Sequence, residues 1–219
     1  MKARRQFIIS GLLFLLFLIF TFLVMKVDVA SVGPQSSSVG LASMNQFMHE
    51  KIGVHLIWDK ITDWVSVIAL LEAVGFGAFG LMQLIKRKSF AKVDTDILLL
   101  GASYAAAAAI YVFFEIFIVN YRPILMEGQL EASYPSSHTF IVLCILGTAM
   151  IQFHRRIKQP GLRVLMQILS VVLLTVTVVG RLISGVHWAT DIAAGILLSA
   201  ALVMLYSAAI EAVKQKKLN

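Results

Sequence analysis

The sequence contains a single cysteine, Cys144, and only four prolines among its 219 residues. One thiol excludes both a disulfide framework and a metal site made of several thiolates. Charged residues are also scarce, at 14% of the chain, whereas 59% of the residues are hydrophobic. A typical soluble domain carries about 25% charged residues. This composition, with a mean hydropathy of +0.85, therefore excludes an ordinary soluble fold.

Long apolar runs make up most of the chain. Each is close to the roughly 20 residues with which a helix crosses a bilayer, and only a helix satisfies its own backbone hydrogen bonds in such a run. We therefore predict an all-α fold, a six-helix transmembrane bundle. The predicted helices cover residues 7–25, 61–85, 97–120, 137–153, 164–183 and 188–212. The first run is long for a secretory signal, and Asp28 stands where a small residue would precede a cleavage site, so we expect an uncleaved helix.

The segment between the first two predicted helices, residues 26–60, is more polar. Its first half contains Gly33-Pro34 and three consecutive serines, a composition typical of a loop. In its second half, hydrophobic residues recur every three or four positions, which predicts an outer-face amphipathic segment between helices 1 and 2. Two interpretations remain open for this helix: it lies on the membrane surface, or its apolar side packs inside the protein. The recurring residues are Met44, Phe47, Met48, Ile52, His55 and Leu56.

Lysine and arginine are distributed unevenly between alternate loops. Of the nineteen, fourteen fall on one side of the predicted bundle, which the positive-inside rule makes cytoplasmic. We expect a multi-pass protein of the cell membrane with both termini cytoplasmic. The net charge of +7 arises from these short clusters, so the bilayer and not nucleic acid is the expected partner. The fourteen residues are Lys2, Arg4, Arg5, Lys86, Arg87, Lys88, Lys92, Arg155, Arg156, Lys158, Arg163, Lys214, Lys216 and Lys217.

Three short polar segments fall on the opposite, outward-facing side: residues 121–123, 134–138 and 181–191. The predicted topology returns all three to one membrane face, where they can form a single pocket. Within the third segment, His187 and Asp191 are four residues apart and would share a helical face. A carboxylate that accepts the Nδ1 proton would hold the imidazole in one tautomer and leave Nε2 free to attack phosphorus.

The second segment, Pro135-Ser136-Ser137-His138, is predicted to begin a helix. A helix start presents unpaired N–H groups to an anion, and the two serines add further donors. His138, when protonated, can give a proton to the leaving oxygen as a general acid. Arg122 and Arg181 supply planar guanidinium groups that match phosphate oxygens. This set of residues requires no metal ion or other cofactor for phosphoryl transfer.

Taken singly, each residue also has a structural interpretation, such as a snorkelling arginine or a helix cap. Their convergence on one face favours function. The order and spacing of these residues resemble the three motifs of the type 2 phosphatidic acid phosphatase family, which is similar to vanadium haloperoxidases and bacterial acid phosphatases. Arg181, His187 and Asp191 match the third motif, residues 135–138 match the second with Ser137 in place of glycine, and Arg122-Pro123 matches the end of the first.

The resemblance implies a six-helix membrane core, a phosphohistidine formed on His187 and protonation of the leaving group by His138. It also implies lipid phosphates or diphosphates as substrates and no metal cofactor. On this basis we expect one integral membrane phosphatase domain over residues 1–219, with its catalytic core at about 97–212.

Two positions depart from the family pattern. Glu115 stands where the first motif has a lysine, and Gly180 stands where a serine usually precedes the arginine of the third motif. A carboxylate cannot replace an ammonium that contacts phosphate. Our hypothesis is that Glu115 modulates the site, either by orienting an arginine or by staying protonated near the substrate.

These expectations leave several functions open. Undecaprenyl diphosphate is the favoured substrate, because an outward-facing site on a small chain suits the recycling of a carrier lipid. Phosphatidate and phosphatidylglycerol phosphate are the alternative substrates. A non-catalytic lipid-phosphate-binding or transport protein is the alternative from another class, supported by the missing lysine.

Overall fold

The computed structural model describes residues 2–216, and most of them are helical. Two 3-10 helices, Pro34–Ser36 and Phe90–Lys92, lie in the connections. Within residues 2–216 the extended segments form isolated β-bridges and no β-strand. The predicted all-α class is therefore confirmed. The α-helices are α1 (Lys2–Lys26), α2 (Ala42–Ile52), α3 (Leu56–Arg87), α4 (Thr95–Ile116), α5 (Ser137–Arg156), α6 (Pro160–Ser184) and α7 (Ala189–Lys216).

Six of these helices, all except α2, are long and apolar enough to cross a membrane, which confirms the predicted six-helix bundle. Several boundaries differ from the prediction by a few residues, and two of these differences concern the site. α3 begins at Leu56, five residues before the predicted start at 61, because Asp59 and Lys60 interrupt the apolar pattern without interrupting the helix. α4 ends at Ile116 and not at 120, because the chain there turns into a loop that leads to the buried Asn120.

The centre of the bundle is formed by α5 and α7. α7 contacts α1, α4, α5 and α6, and α5 contacts α3, α4, α6 and α7. Phe17 of α1, Ala107 of α4, Cys144 of α5 and Leu198 of α7 are buried in one cluster. The outer helices expose many large hydrophobic side chains, such as Leu12 of α1, as expected where helices face lipid.

One end of the bundle, which we call the basic end, contains the start of α1 at Lys2 and the end of α7 at Lys216. The α3–α4 and α5–α6 connections lie at the same end. Arg87 lies 2.8 Å from Asp94, and Arg156 bridges Asp94 and Asp96 at 3.1 and 2.7 Å. Hydrogen bonds from Arg87 and then Arg156 hold the pKa of Asp94 at about 2. The carboxylate therefore stays ionised at neutral pH and ties the three helices together. Lys217 and the two residues after it lie outside the described residues.

The opposite end, which we call the loop end, consists of residues 27–55, 117–136 and 185–188. It includes α2, which confirms that the second half of the polar segment is helical. α2 contacts the bundle through the buried Asn45, whose side chain donates to Gly40 O and Thr190 Oγ1, both at 2.9 Å. Met44 and Phe47 are 46% and 58% exposed. The exposed position of these apolar side chains favours the membrane-surface interpretation over packing inside the protein.

The close approach of the α1–α2 connection to α1 yields a stability prediction. A Cβ atom on Gly40 would lie 1.4 Å from the carbonyl oxygen of Val24, whereas a Cβ on Gly77 of α3 would meet nothing within 4 Å. We expect Gly40→Ala to lower the free energy of unfolding by about 2–3 kcal/mol through overpacking. Gly77→Ala, the matched control, should be neutral or stabilising. Thermal unfolding in detergent micelles measures both, and equal midpoints for the two variants would contradict the prediction.

Candidate active site

The three polar segments singled out in the sequence meet at the loop end through backbone hydrogen bonds. The Ser133 amide donates to Asn120 O at 2.9 Å, and the Ser136 amide donates to Asp191 O at 3.0 Å. The Trp188 indole donates to Tyr121 O at 2.7 Å. Segments that are far apart in sequence thus form one framework, and this framework sets the positions of the side chains that follow.

His187 lies in the short turn between α6 and α7. The turn begins at Gly185, which has φ +69° and whose Cβ would lie 2.4 Å from Gly53 O, so a residue with a side chain does not fit there. The chain then reverses and buries His187 beneath the loops, with 3% of its surface exposed. Burial, followed by the charges of Arg122 and Arg181, lowers the pKa of His187 well below its ordinary value. The ring is therefore neutral at physiological pH.

Asp191 lies in the first turn of α7 and is fully buried. Its Oδ2 is 3.7 Å from His187 Nδ1 and accepts the Trp188 amide hydrogen at 3.0 Å. Its Oδ1 accepts from Asn120 Nδ2 at 3.3 Å. The carboxylate thus faces the Nδ1 side of the imidazole, and the turn itself holds it in place.

Arg122 approaches the other side of the same ring. Its Nη1 is 3.4 Å from His187 Nε2 and 3.5 Å from Val186 O. Arginine has only donors, so this contact needs the lone pair of the neutral imidazole on Nε2. The Nε of Arg122 lies 3.1 Å from Glu131 Oε2, which orients the guanidinium from behind. The nitrogen that carries the lone pair and an anion-binding group therefore face each other.

Arg181 is buried near the loop end of α6, with 1% of its surface exposed. Its Nη1 donates to Asp59, and its Nη2 lies 3.4 Å from Asp63 Oδ1. The same Asp63 oxygen lies 3.1 Å from Nε2 of His138. Two carboxylates of α3 thus hold the arginine, and one of them also contacts the candidate general acid.

The two serines of the second segment have different surroundings. Ser136 is fully buried and is the N-cap of α5, where its Oγ accepts from Thr139. Ser137 is partly exposed and lines a small cavity together with His187 and Glu115. Only Ser137 is therefore placed to reach a group bound beside His187.

Glu115 is exposed on α4 near the edge of this cavity. The ion pair with Arg122 is made by Glu131, and Glu115 forms none with any residue in the range 2–216. The other departure from the family pattern has a steric explanation. A Cβ on Gly180 would lie 2.6 Å from Thr62 Cγ2 and 3.2 Å from the Trp58 ring. Close packing of α3 on α6 leaves no space for a serine there.

Five further polar residues, which the sequence did not identify, support the site. They are Asp59, Asp63, Asn45, Asn120 and Glu131. The sequence did contain a signal for Asp59 and Asp63, because they are four residues apart near the start of a mostly apolar helix and so share one face. The predicted start of that helix at 61 separated them. The other three act through loop contacts, for which the sequence carries no periodic pattern.

The fold and this geometry together define a class of protein: a multi-spanning membrane protein in which two arginines and two histidines, one of each buried, gather at one end. The family model of the PAP2 superfamily matches residues 96–214, more than half of the chain. The chain belongs to this superfamily, the type 2 phosphatidic acid phosphatase family that its motifs resemble. It is accordingly a lipid phosphatase of the membrane, a hydrolase of phosphoric esters.

A similar fold occurs in a crystal structure described as the first transmembrane PAP2-type phosphatidylglycerolphosphate phosphatase, from Bacillus subtilis. The TM-score is 0.65 at 16% sequence identity, and the match covers 93% of this chain and 96% of that one. Similarity at this identity shows a shared fold and carries no substrate with it. No curated protein matches the chain.

The position of Glu115 yields a prediction for binding. Its carboxylate borders the cavity that contains His187, so removing the charge should favour an anionic substrate. We expect Glu115→Gln to lower KM for a lipid phosphate about two- to fivefold, the range of an exposed charge pair. Glu127→Gln is the control, because Glu127 is exposed at the same loop end but does not line the cavity. Unchanged turnover and KM in Glu115→Gln would contradict any role for this residue.

Proposed function

We propose that this phosphatase works through a phosphohistidine on His187. The observation that carries the proposal is the pair of contacts around this buried ring. Asp191 lies 3.7 Å from Nδ1, and Arg122 lies 3.4 Å from Nε2. A neutral imidazole with its lone pair on Nε2, next to a guanidinium that can bind phosphate, is arranged as a nucleophile requires.

In the first step, Nε2 of His187 forms a bond to phosphorus while the bond from phosphorus to the lipid oxygen breaks. His138 gives a proton to that leaving oxygen. Arg122, Arg181 and Ser137 hold the oxygens of the transferring group, whose charge they stabilise in the transition state. Asp191 stabilises the positive charge that develops on the ring.

In the second step, water attacks the phosphohistidine, the P–N bond breaks and inorganic phosphate leaves. His138, which lost its proton in the first step, takes one from the attacking water. The two steps together restore both histidines, and the reaction consumes one water molecule. No residue in this sequence of steps needs a cofactor.

We propose that the loop end faces the outside of the cell and that both termini are cytoplasmic. The support is the charge distribution: most of the lysines and arginines lie at the basic end, which the positive-inside rule assigns to the cytoplasm. A site on the outer face would act on lipids of the outer leaflet. Undecaprenyl diphosphate is our preferred substrate there, with phosphatidate and phosphatidylglycerol phosphate as alternatives.

A groove beneath the site is suited to the lipid tail. It has a volume of about 550 Å³ and lies between α3, α5 and α6, the helices that carry Asp63, His138 and Arg181. Leu173, one of its lining residues, is eight residues before Arg181 on α6, a rise of about 12 Å. The other lining side chains include Ile68, Phe76, Leu146 and Leu169. The tail of a lipid whose phosphate lies at the site would extend along these helices toward the groove.

The groove can be tested by filling it. Gly75 lines the groove about 18 Å along α3 from Asp63, and a Cβ there meets nothing within 4 Å. We expect Gly75→Leu to raise KM for a long-chain phosphatidate about fivefold or more. KM for the dioctanoyl form should stay unchanged, because its tails are too short to reach this position. Gly101→Leu on α4, where a Cβ is equally free of contacts, is the control. An equal effect in both variants would argue against the groove.

The nucleophile is tested by phosphate release with EDTA present, using undecaprenyl diphosphate, phosphatidate and phosphatidylglycerol phosphate as a panel. We expect His187→Ala to reduce release at least about a thousandfold. His154→Ala should retain activity, because His154 is exposed at the basic end of α5. Vanadate should inhibit, since it imitates the trigonal-bipyramidal phosphate.

The panel also separates catalysis from binding. Binding of lipid phosphate without release of phosphate from any substrate would favour the non-catalytic alternative, for which Glu115 in place of the family lysine is the structural support. Full activity in His187→Ala would contradict the phosphohistidine mechanism.

A further inference from the structure

Two carboxylates of α3 contact Arg181, but they differ in how firmly they are held. Asp59 is paired with Nη1, and its side chain is 15% exposed. Asp63 contacts Nη2 through a single oxygen at 3.4 Å, and its side chain is 51% exposed. Asp59 is thus enclosed next to the arginine, whereas Asp63 has solvent on one side and room to turn away.

One oxygen of Asp63, Oδ1, lies between the guanidinium of Arg181 and the imidazole of His138. It lies 3.4 Å from Arg181 Nη2 and 3.1 Å from His138 Nε2. These are the two groups that the proposed reaction uses, one to bind the transferring phosphate and the other to protonate the leaving oxygen. An oxygen of the substrate phosphate therefore needs the same two donors that Asp63 contacts.

We propose that Asp63 is an internal anion that stands in for a phosphate oxygen between Arg181 and His138 and must be displaced when the substrate binds. The proposal rests on the proposed function, in which these two residues act on a lipid phosphate. Asp59 remains in place throughout and keeps Arg181 oriented.

Competition from Asp63 affects the binding of the lipid substrate less than the binding of the inorganic phosphate product. A lipid phosphate gains binding energy from its tail as well as from its headgroup, and that energy can be used to displace the carboxylate. Inorganic phosphate has no tail and meets Asp63 as a direct competitor of like charge. Asp63 therefore weakens retention of the product more than binding of the substrate.

The test is inhibition of the purified full-length protein by inorganic phosphate and by vanadate. With Asp63→Asn the inhibition constants should fall about five- to tenfold, because a neutral amide competes poorly for a guanidinium. Loss of a merely structural contact would weaken anion binding, so the direction of the change is diagnostic. Asp63→Glu, which keeps the charge, should restore weak inhibition.

Glu127→Gln is the matched control, since Glu127 is an exposed carboxylate of the same loop end that contacts neither Arg181 nor His138. Its inhibition constants should change less than about twofold. Equal shifts in both variants would show a general charge effect and overturn the proposal, as would unchanged or weaker inhibition in Asp63→Asn.

Direct titration with inorganic phosphate, measured by calorimetry, separates this inference from the proposed function. Should the native protein bind phosphate without hydrolysing any lipid, tighter binding by Asp63→Asn would still support the role of Asp63 while the catalytic proposal fails. Active native protein whose phosphate affinity is unaltered in Asp63→Asn would instead overturn the inference alone.

Discussion

The structure of the site depends on the burial of one guanidinium. Arg181 is 1% exposed, and a charge removed from solvent is stable only with counter-charges and hydrogen bonds at close range. α3 supplies these through Asp59 and Asp63, so α3 and α6 must approach each other at the loop end. That approach excludes a side chain larger than glycine at Gly180. Placing His138 against Asp63 then brings α5 into the same cluster.

A second buried acidic side chain organises the other half of the site. Asp191 is fully buried, and its carboxylate is bound by the Trp188 amide and by Asn120. The neighbouring Thr190 is joined to Asn45 of α2. A membrane bundle has little hydrophobic driving force to order its loops, so hydrogen bonds of this kind fix the loop end. The nucleophile candidate His187 is positioned by the loops and α7, whereas Arg181 and His138 are positioned by the helices.

Phosphate chemistry requires positive groups, yet this site surrounds its arginines with carboxylates. Each arginine pairs with at least one acid, Arg122 with Glu131 and Arg181 with Asp59 and Asp63. Such pairing keeps both guanidinium groups oriented and lets Arg181 stay buried. It also means that an anionic substrate meets arginines that are already paired with carboxylates.

The apolar runs by themselves determined the all-α class and the six long helices, because spanning a bilayer allows few alternatives to a long helix. The lysines and arginines between these runs determined which end of the bundle is basic. The spacing of Arg181, His187 and Asp191 also matched the third motif of the family, because residues that lie close together along the chain can be recognised from the sequence alone. The tertiary structure alone decided which carboxylates face the arginines. Asp59 and Asp63 are 118 or more residues from Arg181, and no local pattern encodes such a contact. Only the packing of α3 on α6 makes the two acids part of the site, because a buried guanidinium needs counter-charges wherever the fold can bring them.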